Sequence, residues 1–171
     1  MAETMVAEEH IYEFEDALIG DQSSPLTQTI TGEMVRKYLA GTRNRLPQYD
    51  DDEMLAKIDR AETPVPPAMV YRMAPLRREE VMASRGFIRP ESSKTNPRST
   101  PYTKSEIFWY APVKVGDTIT AITRVDDKYE RRGSKFITFR TTATNQDGVK
   151  VGEYTYTCLW FYAKGQKKPG E

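Results

Sequence analysis

The sequence predicts an α+β protein, with helices in its first half and an antiparallel sheet in its last third. Four segments, residues 107–113, 118–125, 136–144 and 149–162, are rich in threonine, isoleucine, valine and aromatic side chains. Turn signals bound them at Val115-Gly116-Asp117, Arg132-Gly133-Ser134 and Asn145-Gln146-Asp147-Gly148. Alternation puts Ile137, Phe139, Thr141 and Ala143 on one strand face and Phe136, Thr138, Arg140 and Thr142 on the other. One well-marked core helix precedes them, so the helices should lie to one side of a curled sheet.

In chain order, residues 3–18 mix acidic groups with Met5, Val6, Ile11, Tyr12, Phe14 and Leu18, which predicts an amphipathic helix ending near Gly20. Residues 26–30 read as a short strand or an extended lead-in. Thr31 is placed as an N-cap, Glu33 in the first turn favours the positive helix end, and Ile30 and Val35 have the spacing of a hydrophobic staple. The helix presents Met34, Val35, Tyr38 and Leu39 on one face and ends or bends at Gly41. Pro47 prevents its simple continuation, and residues 50–57 suit a second short helix. Three prolines within residues 63–67 predict a rigid, extended approach to residues 68–71. Residues 76–82 read as helical, and the Ser/Thr-rich segment 90–101 as a surface loop.

A chain of 171 residues fits one domain: an N-terminal helical extension over 1–25, a core over about 26–163 and a disordered tail over 164–171. Cys158 is the single cysteine, which excludes an internal disulfide and suits a reducing compartment, so a soluble cytoplasmic protein is expected. Its aromatic surroundings raise a thiol pKa, and no basic residue lies within five positions to lower it. Neither a signal peptide nor an apolar run of about 20 residues is visible. Lysine plus arginine number 25 and aspartate plus glutamate 25, a balance that gives no electrostatic case for nucleic acid and favours a small amphipathic ligand. No metal site is expected from one histidine and one cysteine far apart. His10, the lone histidine, reads as a surface or helix-packing residue.

The run Phe108-Trp109-Tyr110-Ala111-Pro112-Val113-Lys114-Val115-Gly116-Asp117-Thr118 resembles the segment of hot-dog proteins in which an aromatic strand meets a P-V-x-V-G-D-T turn. Asn145 to Gly148 before Val149-Lys150-Val151 is similar to the last hairpin of the MaoC-like hydratases and dehydratases, especially their FAS1-like dehydratase branch. Pro64 to Ala68 resembles the A-P-P stretch leading into the strand after that family's central helix. Together these pieces cover residues 26–163. The resemblance implies a hot-dog fold, a long central helix wrapped by a curled antiparallel sheet, with subunits joined edge to edge and an acyl thioester bound along the seam. It also implies reversible addition of water across a 2-enoyl thioester, by an aspartate and a histidine in a G-D-x-N-P-x-H pattern.

Counted from Pro47, the family's aspartate falls on Asn44 and its histidine on Tyr49, with Leu46 in place of the asparagine before proline. An amide cannot accept a proton, and a tyrosine of pKa about 10 is a poor base at neutral pH. Asp50, Asp51, Asp52 and Glu53 come next; they read as a solvated helix start, or alternatively as carboxylates that activate water as in hot-dog thioesterases. Arg131, Arg132 and Lys135 at a hairpin turn, and Lys94 and Arg98 on the Ser/Thr loop, are candidates to meet the phosphates of coenzyme A or an acidic carrier protein, against the plainer reading of solubilising charge. The stripe Tyr154, Tyr156, Cys158, Trp160, Tyr162 suits core or interface better than an acyl tunnel. The expected function is therefore a hydratase or dehydratase subunit without its own dyad, paired with a second hot-dog subunit that carries aspartate and histidine. A homodimeric acyl-thioester binding module and a divergent thioesterase are the alternatives. No cofactor is implied beyond coenzyme A or acyl carrier protein as part of the substrate.

Overall fold

The computed structural model describes residues 9–43 and 63–163. Six strands, β1 (Leu26–Thr29), β2 (Tyr102–Lys104), β3 (Ile107–Trp109), β4 (Thr118–Arg131), β5 (Ser134–Thr144) and β6 (Lys150–Phe161), form one sheet. The order is β1-β4-β5-β6-β2, with β3 on the same flank of β6 as a second short piece. All pairings are antiparallel. Among the described residues the α-helices are α1 (Gly32–Thr42), α2 (Val70–Met73) and α3 (Arg78–Ala83). Among the described residues no helix is long and apolar enough to cross a membrane.

Local chemistry explains the long strands. Arg132 and Gly133 turn between β4 and β5 with φ of 52° and 78°, the two-residue geometry whose twist matches paired strands. Asn145 Oδ1 closes the next turn by accepting from the N–H groups of Asp147 and Val149. Ile137, Phe139, Thr141 and Ala143 are all buried, as their alternation requires. A bulge between Val125 and Asp127 inserts Asp126, whose carboxylate receives both Nε and Nη2 of Arg140.

Thr31 caps α1 through its Oγ1, which accepts from the Met34 N–H at 3.2 Å, a contact worth about 1 kcal/mol. Val35 and Leu39 are buried in one cluster with Ile119, Ala121, Ala143, Val151 and Tyr154 of the sheet, and Met34 and Tyr38 pack against it. Gly41 does not end the helix. It runs on to Thr42, and Arg43 takes the left-handed conformation at φ 50°. The described part of the central helix is thus 11 residues long. Pro47 and the second helix expected over 50–57 lie outside the described residues.

The described part of the N-terminal extension, residues 9–25, is not helical. It is a strap across the far end of the sheet. Ile88 N–H donates to the His10 carbonyl and Tyr12 N–H to the Ile88 carbonyl, both within 2.9 Å. Gly20 and Asp21 exchange backbone bonds with Val125, and Ser23 N–H donates to Thr123. The acidic side chains that suggested a solvated helix face are instead fastenings: Glu13 pairs with Arg98 and Glu15 with Lys135. Tyr12 and Ala17 are fully buried with Val81, Met82, Phe139, Cys158 and Trp160 in a second cluster, while Leu18 and Ile19 are exposed. The strap is therefore part of the core.

Glu9 is its first anchor. Its carboxylate accepts from the N–H groups of Lys94 and Thr95 and the hydroxyls of Ser93 and Thr95, which hold its pKa down at about 2. Because this lies below the ordinary 4.5, the anchoring is complete above pH of about 4.5 and is lost as pH falls through about 2. We expect protection of the Tyr12 amide against hydrogen exchange to fall across that window, and a Glu9→Gln variant to remove the pH dependence.

Two further segments differ from expectation. The stretch is extended only as far as Pro66, with Pro64 bridging Lys114 and Pro66 at φ -56° and ψ 125°; Pro67–Met69 form a 3₁₀ turn that leads into α2 rather than a strand, because a proline suits the first helical position. The segment 90–101 is not merely a surface loop, since Pro90, Ser93 and Thr100 are buried. Glu91 accepts there from Arg78 and Thr100; burial pushes its carboxyl up, but the Thr100 hydroxyl and the Arg78 guanidinium outweigh burial and leave it below the usual range.

Candidate functional site

The strand expected over 107–113 ends at Trp109, and residues 110–113 leave the sheet to form one wall of a cavity. Tyr110 and Ala111 donate their N–H groups to the Val151 carbonyl. Val65 N–H donates to Val113 and Val115 N–H to Thr63, tying the proline-rich stretch to the segment after β3. Trp109 Nε1 donates to the Pro67 carbonyl at 2.9 Å and locks the indole between them. The open cavity they form holds about 460 Å³ and is lined by Pro64, Val65, Pro67, Val70, Met73, residues 109–113, Val151 and Gly152. None of these side chains is acidic, basic or a thiol. Such a lining recognises an apolar group by shape and exclusion of water.

Tyr110 is held at the mouth. Its hydroxyl donates to Glu153 Oε1 at 2.7 Å, and Lys150 Nζ lies 4.5 Å from its ring centroid. Burial pushes the Glu153 carboxyl up, but bonds from Lys150 and Tyr110 and the charge of Arg140 outweigh it, so it stays ionised well below neutral pH. Trp109 and Tyr110 also stand at the open edge of the sheet. Among the described residues, β2 and β3 pair with β6 on one side only. Tyr71, Tyr102, Phe108, Trp109 and Tyr110 are between 43% and 53% exposed there. An unpaired edge flanked by five exposed aromatic rings is a surface made to be covered.

Asn44, Leu46, Tyr49 and the carboxylates at 50–53 lie outside the described residues. Arg131 and Arg132 are exposed at the tip of the β4–β5 turn. Lys135 is tied to Glu15 and Glu130 and lies 4.9 Å from the Phe14 ring centroid. It pairs across the sheet with Phe161, nine residues along β6 from Gly152, or about 30 Å at 3.3 Å per residue. That separation argues against contact between this trio and a ligand in the same protomer's cavity. Arg98 is withdrawn from the surface, its side chain 7% exposed and paired with Glu13, and Lys94 gives its N–H to Glu9.

The aromatic stripe is core for Tyr154, Cys158 and Trp160, and none of its residues lines the cavity. Cys158 does have a distant basic partner, Arg78 at 3.3 Å, but burial still pushes its thiol up to about 11. His10 is exposed on the strap. Sequence reasoning named none of the cavity-lining residues as a binding site, Val70, Met73 and Gly152 among them. The available signal was a glycine inside a strand, which marks close backbone approach.

Residues 17–154 match the family model described as the FAS1-like, dehydratase domain region. The chain belongs to this family. A search among curated proteins found no match. Solved structures share the fold of this FAS1-like dehydratase chain. One is a monoamine oxidase regulatory protein from Archaeoglobus fulgius, 22% identical over 90% of this chain and 96% of that one, with a TM-score of 0.64. Another is the C-terminally truncated HadBC (3R-hydroxyacyl-ACP dehydratase) complex from Mycobacterium tuberculosis, 18% identical over 82% and 96%, TM-score 0.58. A third is the MaoC-like dehydratase from Rhodospirillum rubrum, 16% identical over 88% and 97%, TM-score 0.57. The chain thus has the fold of these proteins, the hot-dog fold, with its antiparallel sheet.

Proposed function

We propose that this FAS1-like dehydratase chain is the acyl-binding, non-catalytic subunit of a heteromeric hydratase or dehydratase of 2-enoyl and 3-hydroxyacyl thioesters. The observation that carries the reading is the coincidence of cavity and edge: Trp109, the last residue of edge strand β3, and Tyr110 just after it line an apolar pocket and are both exposed. A partner docked there sits beside the bound acyl group. Hydration forms a C–O bond at C3 and a C–H bond at C2, so a base must take a proton from water and an acid must give one to carbon. Among the described residues the lining offers no carboxylate, histidine or lysine for these transfers, and counting from Pro47 aligns Asn44 and Tyr49 with the family's Asp–His pair. A second hot-dog subunit with that pair intact supplies the chemistry. The HadBC complex supports assembly of this kind among proteins of the same fold. No cofactor enters this reading beyond the coenzyme A or acyl carrier protein bearing the acyl group.

The test is co-expression with a hot-dog subunit encoded beside it that keeps Asp and His. The complex should hydrate crotonyl-CoA while this chain alone does not. Hydration by the isolated chain at the rate of the complex would overturn the proposal. A homodimer that ignores the neighbour and retains acyl ligand without turnover would replace it with the binding-module reading.

A further inference from the structure

We infer that Gly152 sets the depth of the apolar cavity and so selects the length of the acyl group it accepts. This rests on the reading of the cavity as an acyl site. Five described glycines, at 20, 86, 116, 133 and 148, sit at positive φ, where the backbone itself calls for glycine. Gly152 does not; it lies inside β6, opposite Trp109 on one side and Ala143 on the other, in ordinary strand geometry. Glycine in a strand interior gives up packing and adds chain entropy to the unfolded state, so its presence there needs another reason. The space around it provides one. A Cβ built on Gly152 would stand 3.3 Å from the Phe108 carbonyl oxygen and 3.4 Å from Val70 Cγ2.

Both neighbours are constrained. Phe108 is fixed by its pairing with Glu153, and Val70 is buried in the core cluster. Any side chain at 152 must therefore occupy the gap between β3 and α2 that the cavity uses. Met73, one helical turn on from Val70, lines the same space and is only 4% exposed. The distal end of a ligand thus meets Val70, Met73 and Gly152, while the mouth lies at Tyr110.

The experiment titrates the purified chain by calorimetry with butyryl- and octanoyl-N-acetylcysteamine, probes that carry the thioester without coenzyme A or carrier protein. For Gly152→Ala, octanoyl affinity should fall about tenfold, the effect of expelling about two methylenes, with butyryl affinity within about twofold of wild type. Val70→Ala removes the methyl that a new Cβ would approach, and should raise octanoyl affinity alone and restore much of it when combined with Gly152→Ala. Wild-type protein that binds neither thioester would sink the acyl-site reading itself. Wild-type binding with an unchanged chain-length profile in both single variants would sink the role of Gly152 and leave the acyl site standing.

Discussion

Trp160→Ala will destabilise the protein by about 3–5 kcal/mol, a large part of the roughly 5–15 kcal/mol that holds a domain of this size together. Trp160 is 1% exposed and joins the strap to the sheet. Its ring meets Tyr12 edge-on at 5.9 Å and Phe139 at 6.3 Å, and its Nε1 donates to the Tyr12 carbonyl at 3.2 Å. Alanine leaves a void that neighbours on three separate elements cannot all close, together with a buried carbonyl that has lost its donor. Urea denaturation should show the midpoint falling at unchanged slope. Hydrogen exchange should locate the loosening in residues 10–23, ahead of β5 and β6. A loss below about 1 kcal/mol, or one spread evenly over the sheet, would mean that the strap is fastened by its ion pairs rather than by this contact.

The second large effect concerns assembly. Replacing Tyr102 and Phe108 together with lysine should weaken pairing with the proposed partner subunit roughly a thousandfold, taking about 2 kcal/mol for each aromatic anchor of an interface core. Both rings are largely exposed in the protomer, at 53% and 44%, and neither lines the cavity. The variant should therefore fold normally by circular dichroism and keep its acyl affinity while losing its partner. Light scattering of the co-expressed subunits would read the change directly. An undiminished complex would place the interface elsewhere, with β1 at the opposite edge of the sheet the next surface to test.

The parts of this molecule that the sequence made legible share one property: the interaction that decides them is local. The two-residue turn at Arg132-Gly133, the Asn145–Gly148 turn, the Thr31 cap and the alternation of Ile137, Phe139, Thr141 and Ala143 each depend on neighbours within a few positions. The strap shows the contrary case. Glu13 and Glu15 have helical company nearby, but their partners Arg98 and Lys135 lie 85 and 120 residues away. A periodicity argument cannot see such bonds, and it assigns the acids to a solvated helix face. The same holds for Arg98 and Lys135, which look like free cations until the strap is placed over them.

The family was readable because its marks are short patterns of residue types; the count from Pro47 that aligns Asn44 and Tyr49 with its dyad falls outside the described residues. The apolar cavity was not readable. It is assembled from three stretches, residues 64–73, 109–113 and 151–152, joined only when Trp109 bonds to Pro67 and Val65 to Val113. Sequence by itself determined the long strands β4, β5 and β6 and where α1 begins, but it did not mark β2 and it carried β3 on to residue 113. Tertiary structure alone decided that the strap is core and that Gly152 faces an apolar space at an open edge. Propensities and caps act between adjacent residues, whereas cavities and ion pairs form between surfaces that the chain brings together only on folding.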